Sequence, residues 1–217
     1  MSDAATSRFA ILLDGALAPT GRLRRQIEGC RLLAADGGIR HAGTLGRDPE
    51  MWLGDFDSVD GPLAGRFAHV PRESFPSEKS VSDGRIAVEY ALEKGAREIV
   101  FVGALGGKRS DHAFFNLAGA AGLAIDRPDI AIMLTSGREE AVPLLPNKPL
   151  RPDWPKGTLF SVLGFSAMNG LTVKGAKWPL DCVNVPFGST WTLSNVAGDR
   201  LEILLGEGCG VAICQLE

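Results

Sequence analysis

The sequence lacks the features that mark membrane, secreted and nucleic-acid-binding proteins. Lysine and arginine number 23 against 26 aspartates and glutamates, so the net charge is −3 and a broad basic surface for nucleic acid is not expected. No window approaches the roughly 18 apolar residues of a membrane-spanning helix. The apolar run Phe9–Leu13 stops at Asp14, which is too short for the core of a signal peptide. We therefore expect a cytoplasmic protein that binds neither nucleic acid nor membrane.

Cysteine is scarce, and two nucleotide-binding fingerprints are absent. The four cysteines form no Cys-x-x-Cys pair and have no His-x₃₋₅-His nearby, so we expect buried thiols and no zinc site: Cys30, Cys182, Cys209 and Cys214. Neither a Gly-x₄-Gly-Lys-Ser/Thr loop nor a Gly-x-Gly-x-x-Gly turn after the first strand is present. Any nucleotide site must therefore be of another kind.

Short apolar runs that end in Gly or Asp alternate with helical patterns over the first 135 residues. Such continuous apolar strands are typical of a parallel sheet that is covered on both faces. The predicted strands are Phe9–Leu13, Arg31–Ala35, Met51–Leu53, Glu98–Val102 and Ile130–Leu134. Two of the helices are predicted at Asp83–Lys94 and Asp111–Ala124. We predict an α/β fold in which residues 1–142 form an open parallel-sheet domain that binds a nucleotide.

Prolines stand at every third position from 143 to 155, which is the period of a polyproline II helix. We interpret residues 143–155 as a stiff linker, with a docking ligand for a proline-binding module as the alternative. Short runs separated by Gly and by an Asn-Gly turn predict a small antiparallel β-domain over residues 156–217. The runs are Thr158–Leu163, Leu171–Lys174, Thr190–Leu193, Leu201–Leu205 and Val211–Cys214.

Acidic and glycine-rich clusters follow the predicted strands, at the edge where open α/β sheets bind ligands. Gly37 and Gly38, after Asp36, would let the backbone approach a phosphate closely. Asp55 and Asp57 would point the same way in an extended segment. Magnesium takes such carboxylates together with substrate phosphates, so we favour a metal site over a solvated acidic turn.

Two further clusters precede predicted helices. Asp83, with Ser82 as the expected N-cap, is either a first-turn residue or a further carboxylate facing metal and phosphate. The loop Gly106-Gly107-Lys108-Arg109 offers amides and two cations to phosphate oxygens. Together the clusters predict a nucleoside triphosphate held by Mg²⁺, with attack on phosphorus driven by positioning and charge neutralisation.

The order of these motifs resembles that of the thiamin pyrophosphokinase family. The matching segments are Asp36-Gly37-Gly38, Gly54-Asp55-Phe56-Asp57-Ser58, Glu78-Lys79 with Ser82-Asp83, Gly106–His112, Gly175–Leu180, Phe187-Gly188 and Ser194-Asn195. The resemblance implies transfer of pyrophosphate from ATP to the hydroxyl of thiamin, giving thiamin diphosphate and AMP. It also implies a nucleotide domain, a C-terminal antiparallel β-sandwich that binds thiamin, and a homodimer with active sites between subunits.

The resemblance also implies roles for individual residues. Magnesium would be held by Asp36, Asp55, Asp57 and Asp83. Catalysis would depend on Asp55, Asp57, Asp83, Arg109 and Asp111. The ATP phosphates would contact Gly37, Gly38, Ser82, Gly106, Gly107, Lys108 and Arg109. Thiamin would contact Ser194, Asn195 and Trp178. The Trp178 ring could stack on the flat thiamin cation, with a place in the core of the β-domain as the alternative.

One departure and three other functions remain open at this point. The family usually has Asp-x-Thr-Asp where this chain has Ser80-Val81-Ser82-Asp83, so one possible carboxylate is missing. A pyrophosphokinase of the same fold could act on a hydroxymethylpterin. An Asp-x-Asp glycosyltransferase would hold a nucleotide sugar through its metal. A nucleotide sensor would bind ATP and Mg²⁺ without turnover.

Overall fold

The computed structural model describes residues 7–56, 59–75 and 82–216. Asp57, Ser58 and the segment 76–81, with Glu78, Lys79 and Ser80, lie outside the described residues, and so do the predictions that fall on them. The chain divides into two compact units, Met1–Ala113 with Asp129–Gly137, and Phe114–Pro128 with Arg138–Glu217. Within the described ranges, no helix is both long and apolar enough to cross a membrane.

The first unit contains a parallel sheet of six strands in the order β6-β5-β1-β2-β3-β4. Its central strands are buried along nearly their whole length, as their continuous apolar sequence predicts. The strands are β1 (Arg8–Leu12), β2 (Arg31–Ala35), β3 (Met51–Gly54), β4 (Arg72–Ser74), β5 (Glu98–Val102) and β6 (Ala131–Thr135). The predicted parallel α/β domain is confirmed, and β4 is an exposed edge strand that its polar sequence did not reveal.

The helices are α1 (Gly21–Gln26), α2 (Arg40–Leu45), α3 (Gly61–Arg66), α4 (Asp83–Glu93) and α5 (Ser110–Asp126), with a 3₁₀ turn over Asp36–Ile39. The side chain of Ser82 caps α4 by accepting from the Arg85 amide, and Gly95 follows the helix with a left-handed φ of 83°. Both signals were readable in the sequence, and the predicted bounds of α4 and α5 are right to within two residues.

The second unit is an antiparallel arrangement in the order β7-β12-β8-β11-β9-β10. Its strands are β7 (Glu139–Leu144), β8 (Leu159–Gly164), β9 (Met168–Ala176), β10 (Leu180–Val185), β11 (Asn195–Leu204) and β12 (Gly210–Gln215). The start of β11 pairs with β8, and from Ala197 onward it pairs with β9. One strand thus serves two sheets around a shared apolar core, as expected of a sandwich.

The proline-rich segment belongs to this second unit, so the interpretation as a free polyproline strut is wrong. Pro143 lies in β7 opposite Val211 of β12. Leu150 exchanges both backbone hydrogen bonds with Ile203, at 2.8 and 2.9 Å. Trp154 is buried in the core of the unit. The antiparallel strands therefore begin after residue 138 rather than at 156. Residues of the proline-rich segment pair with neighbouring strands and pack into the core, and so they do not form a free polyproline II helix.

Two smaller predictions also fail. Thr190–Leu193 forms a turn. The Thr192 hydroxyl donates to the Val162 carbonyl at 2.6 Å, and this hydrogen bond explains why Thr192 is buried although it lies outside the strands. Cys182 is exposed and Cys209 is half-buried, whereas Cys30 and Cys214 are buried as expected.

Candidate active site

Three carboxylates from separate segments converge at the carboxyl-terminal edge of the parallel sheet. Asp36 follows β2, Asp55 follows β3, and Asp83 is the first residue of α4. One oxygen atom of each lies within 4.8 Å of the others, and all three side chains are half-buried. Neighbouring parallel strands end at one edge, so acids that are 19 residues apart in the sequence become neighbours in space.

The two acid-bearing turns have unusual backbone conformations and are held by the aromatic pair Trp52 and Phe56. Asp36 has φ of 42° and Phe56 has φ of 63°, a region that costs a non-glycine residue about 1–3 kcal/mol. The fully buried Trp52 donates its indole N–H to the Asp36 carbonyl at 2.8 Å. The Phe56 ring packs edge-on against Trp52 with centroids 5.0 Å apart. The core of the sheet therefore fixes both turns.

The turn at Gly54 lets the two acids approach. A Cβ atom at this position would lie 3.2 Å from the Cα and Cβ atoms of Asp36, so a larger residue would push the turns apart. Three half-buried carboxylates at this spacing repel one another, and a divalent cation relieves that repulsion. Their oxygen atoms are the ligand type that Mg²⁺ takes, so the donor set fits this metal. Asp57, the fourth expected ligand, lies outside the described residues.

Gly37 and Gly38, which the sequence predicts to contact a phosphate, pack against the protein itself. Both are buried in the 3₁₀ turn. A Cβ at Gly38 would lie 2.2 Å from the Leu12 carbonyl oxygen, and one at Gly37 would lie 2.9 Å from an Asp14 carboxylate oxygen. Glycine is thus required at both positions because other parts of the protein pack closely against them.

The loop after β5 has the expected open character. Gly106 and Gly107 are exposed with φ of 65° and 99°, a left-handed region that glycine adopts without a steric cost. Arg109 donates to both oxygens of Asp111, at 3.0 and 2.7 Å. This guanidinium holds the pKa of the Asp111 carboxyl far below its usual range, so Asp111 stays ionised. Lys108 is exposed beside them.

Sequence reasoning missed a fourth loop at this edge, the one that follows β1. Gly15 donates its amide to the Gly103 carbonyl at 2.9 Å, and its own carbonyl lies 3.0 Å from His41 Nε2. Burial lowers the pKa of His41, so the ring is neutral and Nε2–H is the donor. Asp14 pairs with Arg40 at 2.9 Å. The available signal was that Asp14 ends an apolar strand, just as Asp36 and Asp55 do.

The residues expected to bind thiamin lie in the second unit, beside β11. Trp178 is 52% exposed, so its alternative place in the core is wrong. The side-chain amide of Asn195 binds the backbone. Its oxygen accepts from the backbone amides of Trp178 and Val196, and its nitrogen donates to the Trp178 carbonyl at 2.7 Å. Ser194, with φ of 61°, is exposed next to it. Asn195 therefore shapes the turn that presents the Trp178 ring.

Comparison with known proteins follows the same division of the chain. Residues 26–134, half of the 217-residue chain, match the family description "Thiamin pyrophosphokinase, catalytic domain". Residues 148–209 match "Thiamin pyrophosphokinase, vitamin B1 binding domain". No curated protein matches the chain by sequence.

Solved structures share the fold. The thiamine pyrophosphokinase of Bacillus subtilis is 21% identical with a TM-score of 0.81, and the match covers 97% of this chain and 99% of that one. That of Geobacillus thermodenitrificans is 26% identical with a TM-score of 0.74, covering 96% and 98%. That of Candida albicans is 12% identical with a TM-score of 0.77, covering 99% and 91%. With both family descriptions matched in order, this chain belongs to the thiamin pyrophosphokinase family and is an enzyme that transfers pyrophosphate from ATP to thiamin.

Proposed function

We propose that Asp36, Asp55 and Asp83 hold the Mg²⁺ that this transfer needs, and that the loop Gly106–Arg109 binds the ATP phosphates. The observation that carries the proposal is the convergence of the three carboxylate oxygens within 4.8 Å of one another. Bound there, Mg²⁺ would neutralise charge on the phosphate oxygens during the transfer. Asp57 is a further candidate ligand by its place in the sequence.

The products define the bonds that change. The hydroxyl oxygen of thiamin attacks the β-phosphorus of ATP, the bond from that phosphorus to the α,β-bridging oxygen breaks, and AMP leaves while the hydroxyl proton is released. The amides of Gly106 and Gly107 and the cations Lys108 and Arg109 would bind and orient the phosphates.

Asp111 acts in this scheme by orienting Arg109. Its carboxyl has a pKa far below the usual range because of the paired guanidinium, and so it is a poor acceptor for the hydroxyl proton. Its two hydrogen bonds instead fix the plane of the Arg109 guanidinium. A guanidinium fixed in this way can meet two phosphate oxygens at once.

We further propose that thiamin stacks on Trp178, with the Ser194 hydroxyl as a polar contact. The ring is exposed, and Lys177 Nζ lies 4.5 Å from its centroid, a cation–π contact of the kind proposed for thiamin. Phe187 and Trp191 are also exposed, at 71% and 58%, in the same unit. Such aromatic surface favours a homodimer in which a second copy covers it. The cytoplasmic location stays a prediction.

The test uses the purified protein with ATP, Mg²⁺ and thiamin, and the products are identified by mass. AMP and thiamin diphosphate should appear in equal amounts and should disappear when a chelator removes the metal. A hydroxymethylpterin in place of thiamin serves as the acceptor control and should give no AMP. Release of ADP, or full activity without a divalent cation, would contradict the proposal. Sedimentation of the same sample tests the dimer.

A further inference from the structure

The 3₁₀ turn that begins at Asp36 is held at two successive carbonyls, and the Trp52 indole binds only the first of them. Arg40, the first residue of α2, donates from Nε to the Gly37 carbonyl at 3.0 Å. The same nitrogen lies 2.9 Å from an Asp14 carboxylate oxygen. Neither side chain of this ion pair belongs to the acidic cluster of Asp36, Asp55 and Asp83.

The two contacts fix consecutive peptide planes. Trp52 binds the carbonyl of Asp36, which belongs to the peptide between residues 36 and 37. Arg40 binds the carbonyl of Gly37, which belongs to the next peptide, through Nε and through its own backbone N–H. Because each peptide unit is planar, fixing two in succession leaves little freedom at Gly37, the residue that joins them. Asp36, with its left-handed φ of 42°, therefore stands at the start of a turn whose next two peptides are fixed.

Asp14 connects this arrangement to the rigid sheet. The residues on either side of it are tied to the end of β5: Leu13 donates to the Val102 carbonyl at 2.8 Å, and Gly15 donates to the Gly103 carbonyl at 2.9 Å. The Asp14 carboxylate therefore starts from a fixed backbone and holds the guanidinium against Gly37. Both side chains of the ion pair are nearly half exposed, and such pairs add little to stability. Stability alone does not explain the arrangement.

We propose that Arg40, held by Asp14, is a positioning residue that keeps the Asp36 carboxylate in the acidic cluster. The proposal rests on the metal-binding role proposed above for Asp36, Asp55 and Asp83. Arg40 acts through the Gly37 carbonyl rather than on the reacting atoms. Its loss should therefore weaken metal binding and leave the thiamin site unchanged.

The test measures binding of Mn²⁺ alone, by electron paramagnetic resonance, to the full chain and its variants. Arg40→Gln should weaken Mn²⁺ binding about ten-fold, as loss of a residue that orients a metal ligand does. Arg40→Lys keeps a cation near Asp14 and should restore part of the affinity. In the activity assay, excess Mg²⁺ should recover most of the kcat of Arg40→Gln, and the KM for thiamin should not move.

Arg97→Gln is the matched control. Arg97 pairs with Asp129 at 2.8 Å in the same unit, but at the amino-terminal ends of β5 and β6. It should bind Mn²⁺ like the native protein, and both glutamine variants should unfold at similar denaturant concentrations. Asp14→Asn provides the second variant if Arg40→Gln does not fold, and it should also weaken Mn²⁺ binding.

Two results would overturn the inference by itself: native Mn²⁺ affinity in both Arg40→Gln and Asp14→Asn, or a raised KM for ATP with unchanged Mn²⁺ affinity. The second result would mean that Arg40 contacts the phosphates directly. If neither the native protein nor Asp55→Asn binds Mn²⁺, that result would instead overturn the proposed function and this inference with it.

Discussion

The two units bring functional side chains into position by different means. In the first unit, Asp36 and Asp55 stand directly after neighbouring parallel strands, so the topology of the sheet brings them to one edge, where Gly54 and Trp52 set the turns. In the second unit, Trp178 and Ser194 lie outside the strands, and the Asn195 side chain holds the Trp178 backbone. The charged site thus depends first on the order of strands, and the aromatic site depends on the side-chain hydrogen bonds of Asn195.

Each unit also contains a buried tryptophan whose indole N–H binds an oxygen. Trp52 donates to the Asp36 carbonyl, next to the acidic cluster. Trp154 donates to the Glu140 carboxylate at 3.1 Å, inside the core of the second unit. The same chemical group therefore serves the candidate metal site in one unit and only packing in the other. This contrast supplies matched pairs of variants.

The largest effect is expected from Asp55→Asn. Removing one carboxylate from the cluster should lower kcat by about 100-fold or more, because charge neutralisation by the metal supplies several kcal/mol of transition-state stabilisation. The loss of kcat is measured as the rate of thiamin diphosphate formation at saturating Mg²⁺. Asp129→Asn, at the opposite ends of the strands, is the control and should keep native activity. Native activity in Asp55→Asn would break the link between sheet topology and function.

Arg109→Ala should raise the KM for ATP roughly 10- to 100-fold, which is the usual effect of losing a hydrogen bond to a charged group. Thiamin binding should not change, because the loop after β5 is assigned to the phosphates. Equilibrium binding of ATP and of thiamin, each measured separately, distinguishes an effect on ATP from an effect on thiamin. A selective loss of thiamin affinity would instead move this loop to the acceptor side.

Trp52→Phe and Trp154→Phe compare the two units directly. Both substitutions remove an indole donor from a buried oxygen and should lower the free energy of unfolding by about 1–3 kcal/mol. Only Trp52→Phe should also raise the Mg²⁺ concentration needed for half-maximal activity, by about five- to ten-fold. Denaturant titration and Mg²⁺ titration of both variants test this. An equal shift in Mg²⁺ requirement would show that the effect is general loosening.

The smallest functional effect is expected from Asn195→Ala. The turn at Trp178 would lose its side-chain hydrogen bonds, and the KM for thiamin should rise about two- to five-fold, in line with a weakened cation–π contact. Asn184→Ala removes one side-chain hydrogen bond, to the Gly170 amide, in the same unit and should leave this KM unchanged. An unchanged KM in Asn195→Ala would remove Trp178 from the proposed thiamin site.

The contrast between the units also explains what could be predicted from the sequence. Asp36 and Asp55 follow apolar strands, and strand order then places them together, so the acidic cluster was predictable. Thr190–Leu193 looked like a strand because its residues favour β structure, but a side-chain hydrogen bond to β8 holds it as a turn. Arg40 carried no signal, because its role depends on a carbonyl that only the folded 3₁₀ turn exposes to it.

The most direct test of the account is where a divalent cation binds. Crystals of the protein grown with Mn²⁺ and an ATP analogue whose α,β-bridge is a methylene group would show the cation by its anomalous scattering. We expect a peak in contact with carboxylate oxygens of Asp36, Asp55 and Asp83, at distances of about 2.1 Å from its ligands. A well-bound cation that contacts none of these three carboxylates would contradict the proposed metal site.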